Sequence, residues 1–184
     1  MTESRLITVQ RGNPTHGVLS LDMSKVYEVE QRITETRTVN PMTAPELRSV
    51  FNEACSLATK YIAWVKYEIL NAKKNLDLVR AEILLDKLPS ILKDLKDQGI
   101  KDSADIRDSI VKRDTEYQTA LDVLNTLEAT KQLLDSKAKT FERAYWDCRD
   151  LAKDKGRIAN SVNLSVAENE LGNRTDLVIG KSKI

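Results

Sequence analysis

The sequence predicts a mainly α protein: a long antiparallel, coiled-coil-like helical hairpin with a small N-terminal β-hairpin and a flexible C-terminal tail. Glycine and proline are scarce, six and four in 184 residues. Charged residues make up 31% of the chain and aromatics 5%, a balance that suits two-sided helices better than a thick core. Apolar residues also recur at alternating three- and four-residue steps through 44–87 and 104–155. The expected parts are an N-terminal extension (1–42), a helical hairpin domain (43–155) and a tail (156–184).

"RLITVQ" (5–10) alternates in polarity, "RGNPTHG" (11–17) is a strong turn signal, and "VLSLDM" (18–23) reads as the returning strand. Residues 24–39 fit a helix through Val26, Val29 and Ile33, and a strand through their Thr and Val content; the sequence leaves both open. Thr43, Pro45 and Glu46 then announce a helix. Over 44–87 it would run roughly 65 Å, with Phe51, Ala54, Ala58, Tyr61, Val65, Ala72, Leu76, Val79 and Ile83 inward. Pro89 should break or kink it, and Gly99 should end the turns that follow. Ser103 or Asp102 can cap the second helix, whose seam runs from Ile110 and Arg113 through Tyr117, Leu124, Lys131 and Phe141 to Ala152, with Gly156 closing it.

Folding back near 97–102 sets Tyr61 against Ala138 and Val79 against Ala120. The same register places Glu68 near Lys131, where each charge could neutralise the other. Trp64, Tyr67, Ile69, Leu70 and Trp146 fall outside the seam. Exposed residues of that kind mark association surfaces, so a homo-oligomer is expected.

Nothing in the chain reads as an enzyme. His16, the one histidine, lies in a turn with no ligand spacing around it, and Cys55 and Cys148 read as two small buried side chains. Phosphate-cradling glycine loops are missing, and the carboxylate pairs Asp105/Asp108 and Asp147/Asp150 sit among Arg and Lys as ion-pair faces. No cofactor or metal is expected. No apolar run approaches the roughly 20 residues needed to cross a bilayer, and the N-terminus lacks a signal peptide's apolar core. The expectation is a soluble intracellular protein without a membrane partner.

A net charge of +1 gives no global pull toward nucleic acid, so any anion binding must be local. Lys60, Lys66, Lys73, Lys74 and Arg80 cluster with Trp64 on the first helix; Lys137, Lys139 and Arg143 follow on the second. Lysine and arginine beside exposed aromatics suit single-stranded nucleic acid, whose phosphates take the cations and whose bases stack. The hairpin's loop half, from Asp86 to Asp108, is balanced or acidic.

"DIRDSIVKRDTEYQTALDVLNTLEATKQLLDSKAKTFERAYWDCRDL" (105–151) resembles the C-terminal half of the UvsY family of phage recombination mediators, through Asp105, Arg107, Ile110, Asp114, Lys137, Phe141 and "DCRDL". "KYIAWVKYEILNAKKNLDLVRA" (60–81) is similar to that family's first helix. The resemblance covers roughly residues 45–155; the N-terminal extension, the tail, and Leu78 in place of a further basic residue depart from the pattern. It implies a ring-like homo-oligomer in the cytoplasm of an infected bacterial host. Such a protein binds single-stranded DNA, displaces single-strand-binding protein and helps to load a RecA-like recombinase. Lys73, Lys74 and Arg80, with Lys60 and Lys66, are the residues it carries over. The rival expectation is a non-enzymatic coiled-coil structural or adaptor protein of a phage.

Overall fold

The computed structural model describes the backbone of residues 6–37, 42–99 and 101–179, with the side chains of 35–37 and 154–179 outside the description. Arg5, residues 38–39 and residues 180–184, which the sequence reading placed in a strand, an undecided segment and the tail, lie outside the described residues. Two strands, β1 (Leu6–Gln10) and β2 (Val18–Asp22), precede five α-helices: α1 (Ser24–Gln31), α2 (Ala44–Glu82), α3 (Leu88–Asp97), α4 (Ala104–Arg113) and α5 (Thr115–Ile179). The chain forms two compact units: 1–28 with 55–139, and 29–54 with 140–184.

In the first unit the expected β-hairpin forms. Its strands pair antiparallel, Ile7 opposite Leu21 and Val9 opposite Leu19, so one face buries Val9, Leu19 and Leu21. The Asn13 side chain accepts the Thr15 N–H in the connecting turn, and the Asp22 carboxylate accepts the Ser24 N–H to start α1. Residues 24–37, undecided by sequence, are helical: α1 and a following 3-10 stretch over Arg32–Arg37. Met23 and Val26 are fully buried, so burial decides what local propensity left balanced.

The hairpin is fastened to α2 at two points. The Tyr61 hydroxyl donates to the Asp22 carbonyl at 2.9 Å. Gly12 lies against the α2 backbone so closely that a Cβ there would overlap the Glu68 carbonyl oxygen and the Ala72 nitrogen. Its N–H donates to Glu68 Oε2 at 3.1 Å, and the Arg11 guanidinium stands 3.9 Å from Oε1. This corrects the expected Glu68–Lys131 pair. Glu68 is buried under the β-turn, while Lys131 donates to Asp135 at 2.7 Å on its own helix.

Within this unit α2 and α5 run antiparallel. Cys55 Sγ meets the Ala138 carbonyl, Lys73 meets Glu128, and Lys87 meets Glu116. Around Lys73 this is close to the register read from the sequence, but Ala138 meets Cys55 and not the expected Tyr61. The expected seam residues Ala58, Tyr61, Val65, Ala72, Ile83, Ala120, Leu124, Leu127 and Leu134 are buried. Ile69 is buried as well, not left outside the seam, and Cys55 is only half-buried. Arg113 is exposed, and Val111 takes the inward place near it.

Three expected boundaries shift. Pro89 does not break the first helix. One π-helical turn over Ile83–Lys87 leads into α3, with the Leu88 N–H donating to the Ile83 carbonyl and Pro89 in the first turn, where its missing N–H costs least. The helix expected over 104–155 is interrupted at Asp114, whose backbone is extended (φ −68°, ψ 133°). Asp114 Oδ1 caps α5 by accepting the Glu116 and Tyr117 N–H groups. Gly156 does not end α5, which continues to Ile179; one interior glycine costs a helix only about 1 kcal/mol. As expected, Ser103 caps α4 and Gly99, at φ 82°, terminates the turns after α3.

Among the described residues of the second unit, Val29, Ala44, Leu47, Phe51, Ala54, Phe141, Ala144 and Cys148 are buried. Burial pushes the Cys148 thiol up, with the Asp147 charge adding to it.

Gly12→Ala should destabilise the protein by about 3 kcal/mol, because the overlap is with backbone that cannot move aside. Gly17→Ala meets open space, but its backbone (φ 71°, ψ −136°) lies where essentially only glycine goes, so it should cost about 2 kcal/mol through strain and not through overlap. Urea denaturation followed by far-UV circular dichroism separates the two. Asp114→Ala should cost about 1 kcal/mol at neutral pH through the lost cap. Lys87 donates to Asp114 at 2.8 Å and, with the backbone N–H groups, holds its carboxyl below the usual carboxylate range. Its stabilisation is therefore complete above the unfolded pKa of about 3.9 and is lost as pH falls through the lower folded value. The gap between wild type and variant should be constant from pH 7 to 5 and close in stronger acid.

Candidate nucleic-acid interface

A helix advances about 100° per residue, so a basic cluster in sequence is not one patch in space. On α2 it sorts into two lines. Lys66, Lys73 and Arg80 recur every seven residues along one flank. Lys60, Trp64, Tyr67 and Lys74 step by four, three and seven along another part of the surface, and all four are exposed.

The first line borders α5. Lys66, Ile69, Leu70 and Lys73 of α2 meet Glu128, Lys131 and Gln132 of α5 around an open groove of about 400 Å³. Its floor is aliphatic and its rims carry three ammonium groups. Lys73 Nζ lies 3.4 Å from Glu128 Oε1, and Lys131 is held by Asp135. Among the described residues Lys66 makes no ion pair. Exposed pairs such as Lys73–Glu128 are worth roughly 0–1 kcal/mol, so an incoming phosphate can compete for the lysine. Lys139 lies seven residues beyond Gln132 on α5 and is exposed. Arg80 is drawn out of this group: it stands 3.6 Å from Asp108, whose other oxygen takes Lys112 at 2.7 Å. Those contacts, Lys112 foremost, hold the Asp108 carboxyl below the usual range.

The second line is aromatic. Lys60 Nζ sits 5.0 Å from the Trp64 ring centre, and Tyr61 tilts against the same indole at 5.6 Å. Trp64 is therefore held in orientation while 43% exposed. Lys74 continues the line and, among the described residues, makes no ion pair.

Lys137 does not belong with either group. It lies 5.6 Å from the Tyr27 ring and packs at α1. Arg143 is exposed on α5 in the second unit. That unit holds its own cation–aromatic stack: Arg149 lies 4.6 Å from the Trp146 ring, which meets Tyr145 edge-on. Lys131, Gln132 and Arg149 were missed as site residues. Arg149 follows Trp146 at helical contact spacing and was legible; Lys131 was assigned instead to Glu68.

The acidic half is neutralised in part. Asp102 binds Arg107 through both carboxylate oxygens, and Lys87 bridges Asp114 and Glu116. His16 is exposed in the β-turn, and among the described residues no group of three or more His, Cys, Asp or Glu side chains could hold a metal. No described helix is long and apolar enough to cross a membrane. No family model, curated protein or solved structure matches this chain.

With Trp146→Phe leaving Trp64 as the reporter, iodide should quench its fluorescence more strongly than caesium does, because Lys60 and Lys74 concentrate anions at the ring. Lys60→Glu should reverse that order. An unchanged order would detach the cation from the indole in solution.

Proposed function

We propose that this protein is a non-enzymatic, single-stranded-DNA-binding recombination mediator. It works as a homo-oligomer, displacing single-strand-binding protein and helping to load a RecA-like recombinase in the cytoplasm of an infected host cell. One observation carries the DNA-binding part of the reading: lysines from two helices, Lys66 and Lys73 of α2 and Lys131 of α5, converge on a groove with an aliphatic floor. Phosphates would take Lys66, Lys73 and Lys131, while bases lie in the groove over Ile69 or stack on Trp64. The resemblance of residues 45–155 to the UvsY family supports the placement in recombination. A second reading, a coiled-coil adaptor or structural protein, is favoured by the exposed leucines of α2, Leu70 and Leu78.

Fluorescence anisotropy of labelled oligo-dT across a salt series tests the first reading. Binding should weaken steeply as salt rises, and the triple change Lys66→Glu, Lys73→Glu, Lys131→Glu should weaken it at least tenfold and flatten the salt slope. Absence of binding at low salt, or indifference to the triple change, would favour the adaptor.

A further inference from the structure

The back of α2, away from its buried seam, carries a second apolar line. Tyr67, Leu70 and Leu78, with Leu85 in the π-helical turn, are 61%, 60%, 62% and 74% exposed. Ala63 and Ala81, both exposed, lie at three- and four-residue steps in the same line. We infer that this ridge docks onto the same ridge of a second copy of the chain, antiparallel, across a two-fold axis near Lys74.

Size and charge argue for that occupant and orientation. With position 74 on the axis, Tyr67 falls opposite Ala81 of the second copy, Leu70 opposite Leu78, and Leu85 opposite Ala63. Two of these pairings set a large side chain against an alanine, and the third matches two leucines; such alternation lets the ridges interdigitate. Charge is graded along the helix in the matching sense. Lys60, Lys66, Lys73 and Lys74 precede the axis or sit on it, and Asp77, Glu82 and Asp86 follow it; Arg80 and Lys87, also beyond the axis, are taken by Asp108 and by Asp114 and Glu116 of their own chain, and Glu68 is buried under the β-turn. The two Lys74 side chains approach each other at the axis, so their pairing with Asp77 across it is what the contact requires. Antiparallel docking brings Lys60 toward Asp86 of the second copy and Lys74 toward its Asp77, whereas parallel docking sets like beside like. The contact is isologous, so it closes as a dimer. Leu70 also lines the lysine-edged groove, so the docked ridge borders that groove on one side; the contact itself needs no nucleic acid.

Light scattering and spin-label distances test it on the full chain. The wild type should have twice the monomer mass at about 100 µM, and Leu70→Glu/Leu78→Glu should be monomeric with unchanged helical dichroism, since both side chains are exposed in the single chain. In a Cys55→Ser, Cys148→Ala background, labels at Asn71→Cys should lie within about 25 Å of one another. Labels at Ser56→Cys should lie about 50 Å apart, since each residue from the axis adds about 3 Å to the separation of the two copies. A monomeric wild type, an oligomer that survives the two glutamates, or equal distances at the two positions would each overturn the inference.

Discussion

The first unit depends on the seat of Gly12 against α2. A residue without a Cβ lets the β-turn reach the helix backbone at Glu68 and Ala72, and that approach brings a backbone N–H to a carboxylate that is otherwise out of water. A buried carboxylate needs donors, and the turn supplies the Gly12 N–H at hydrogen-bond distance and the Arg11 guanidinium nearby. An isolated two-stranded hairpin is marginal on its own. Here it is fixed by the Glu68 contact and by the Tyr61–Asp22 hydrogen bond, both of which end on α2. The helix and the hairpin therefore each supply what the other lacks: a covered flank for one, a platform for the other.

That choice of partner has consequences on the opposite flank of α2. Because Glu68 turns to the hairpin, Lys131 has no buried acid to neutralise and remains half-exposed, held by Asp135 along its own helix. It thereby joins Lys66 and Lys73 around the groove. The surfaces of α2 then differ in chemistry: a buried seam, a flank under the β-turn, a lysine-edged groove beside α5, and a leucine–tyrosine ridge at the back that meets the groove at Leu70. A helix with a single amphipathic face would leave no such division.

The sequence pattern carried the architecture because periodicity reports burial directly. The strands, their turn, the seam residues of α2 and the Ser103 cap were all legible. What it did not carry were decisions made between elements. Residues 24–37 have balanced local preferences, and the burial of Met23, Val26 and Val29 settles them as helix. The Glu68–Lys131 pairing followed from a two-helix register that contained no third element; the hairpin is that element. The interruption at Asp114 was signalled by an Asp, Thr and Glu in succession, a helix-start pattern, but it was outweighed by the absence of glycine and proline over the whole segment. Of the basic residues grouped by sequence, Lys66 and Lys73 lie beside one groove, while Arg80 and Lys137 are drawn to Asp108 and Tyr27, neighbours that no local window contains.

The two irregularities of the long helices are not independent. The π-helical turn ends at Lys87, and the extended residue between α4 and α5 is Asp114; Lys87 donates to Asp114 and to Glu116 at 2.8 and 2.9 Å. One ammonium thus ties the widened turn of one helix to the start of the next. A π turn rotates every later residue about the helix axis, and a break at Asp114 lets the opposing strand of the hairpin change direction at the level of that turn. Ion pairs also take up part of the acidic charge of this end, Arg107 for Asp102 and Lys112 for Asp108. Among the described residues Lys60, Lys66 and Lys74 have no such partner, and neither do Lys93, Lys96 and Lys101 near the turn that joins α3 to α4. What sets the first group apart is therefore not spare charge but what lies beside it: an aliphatic groove shared with α5 and an indole held by Lys60.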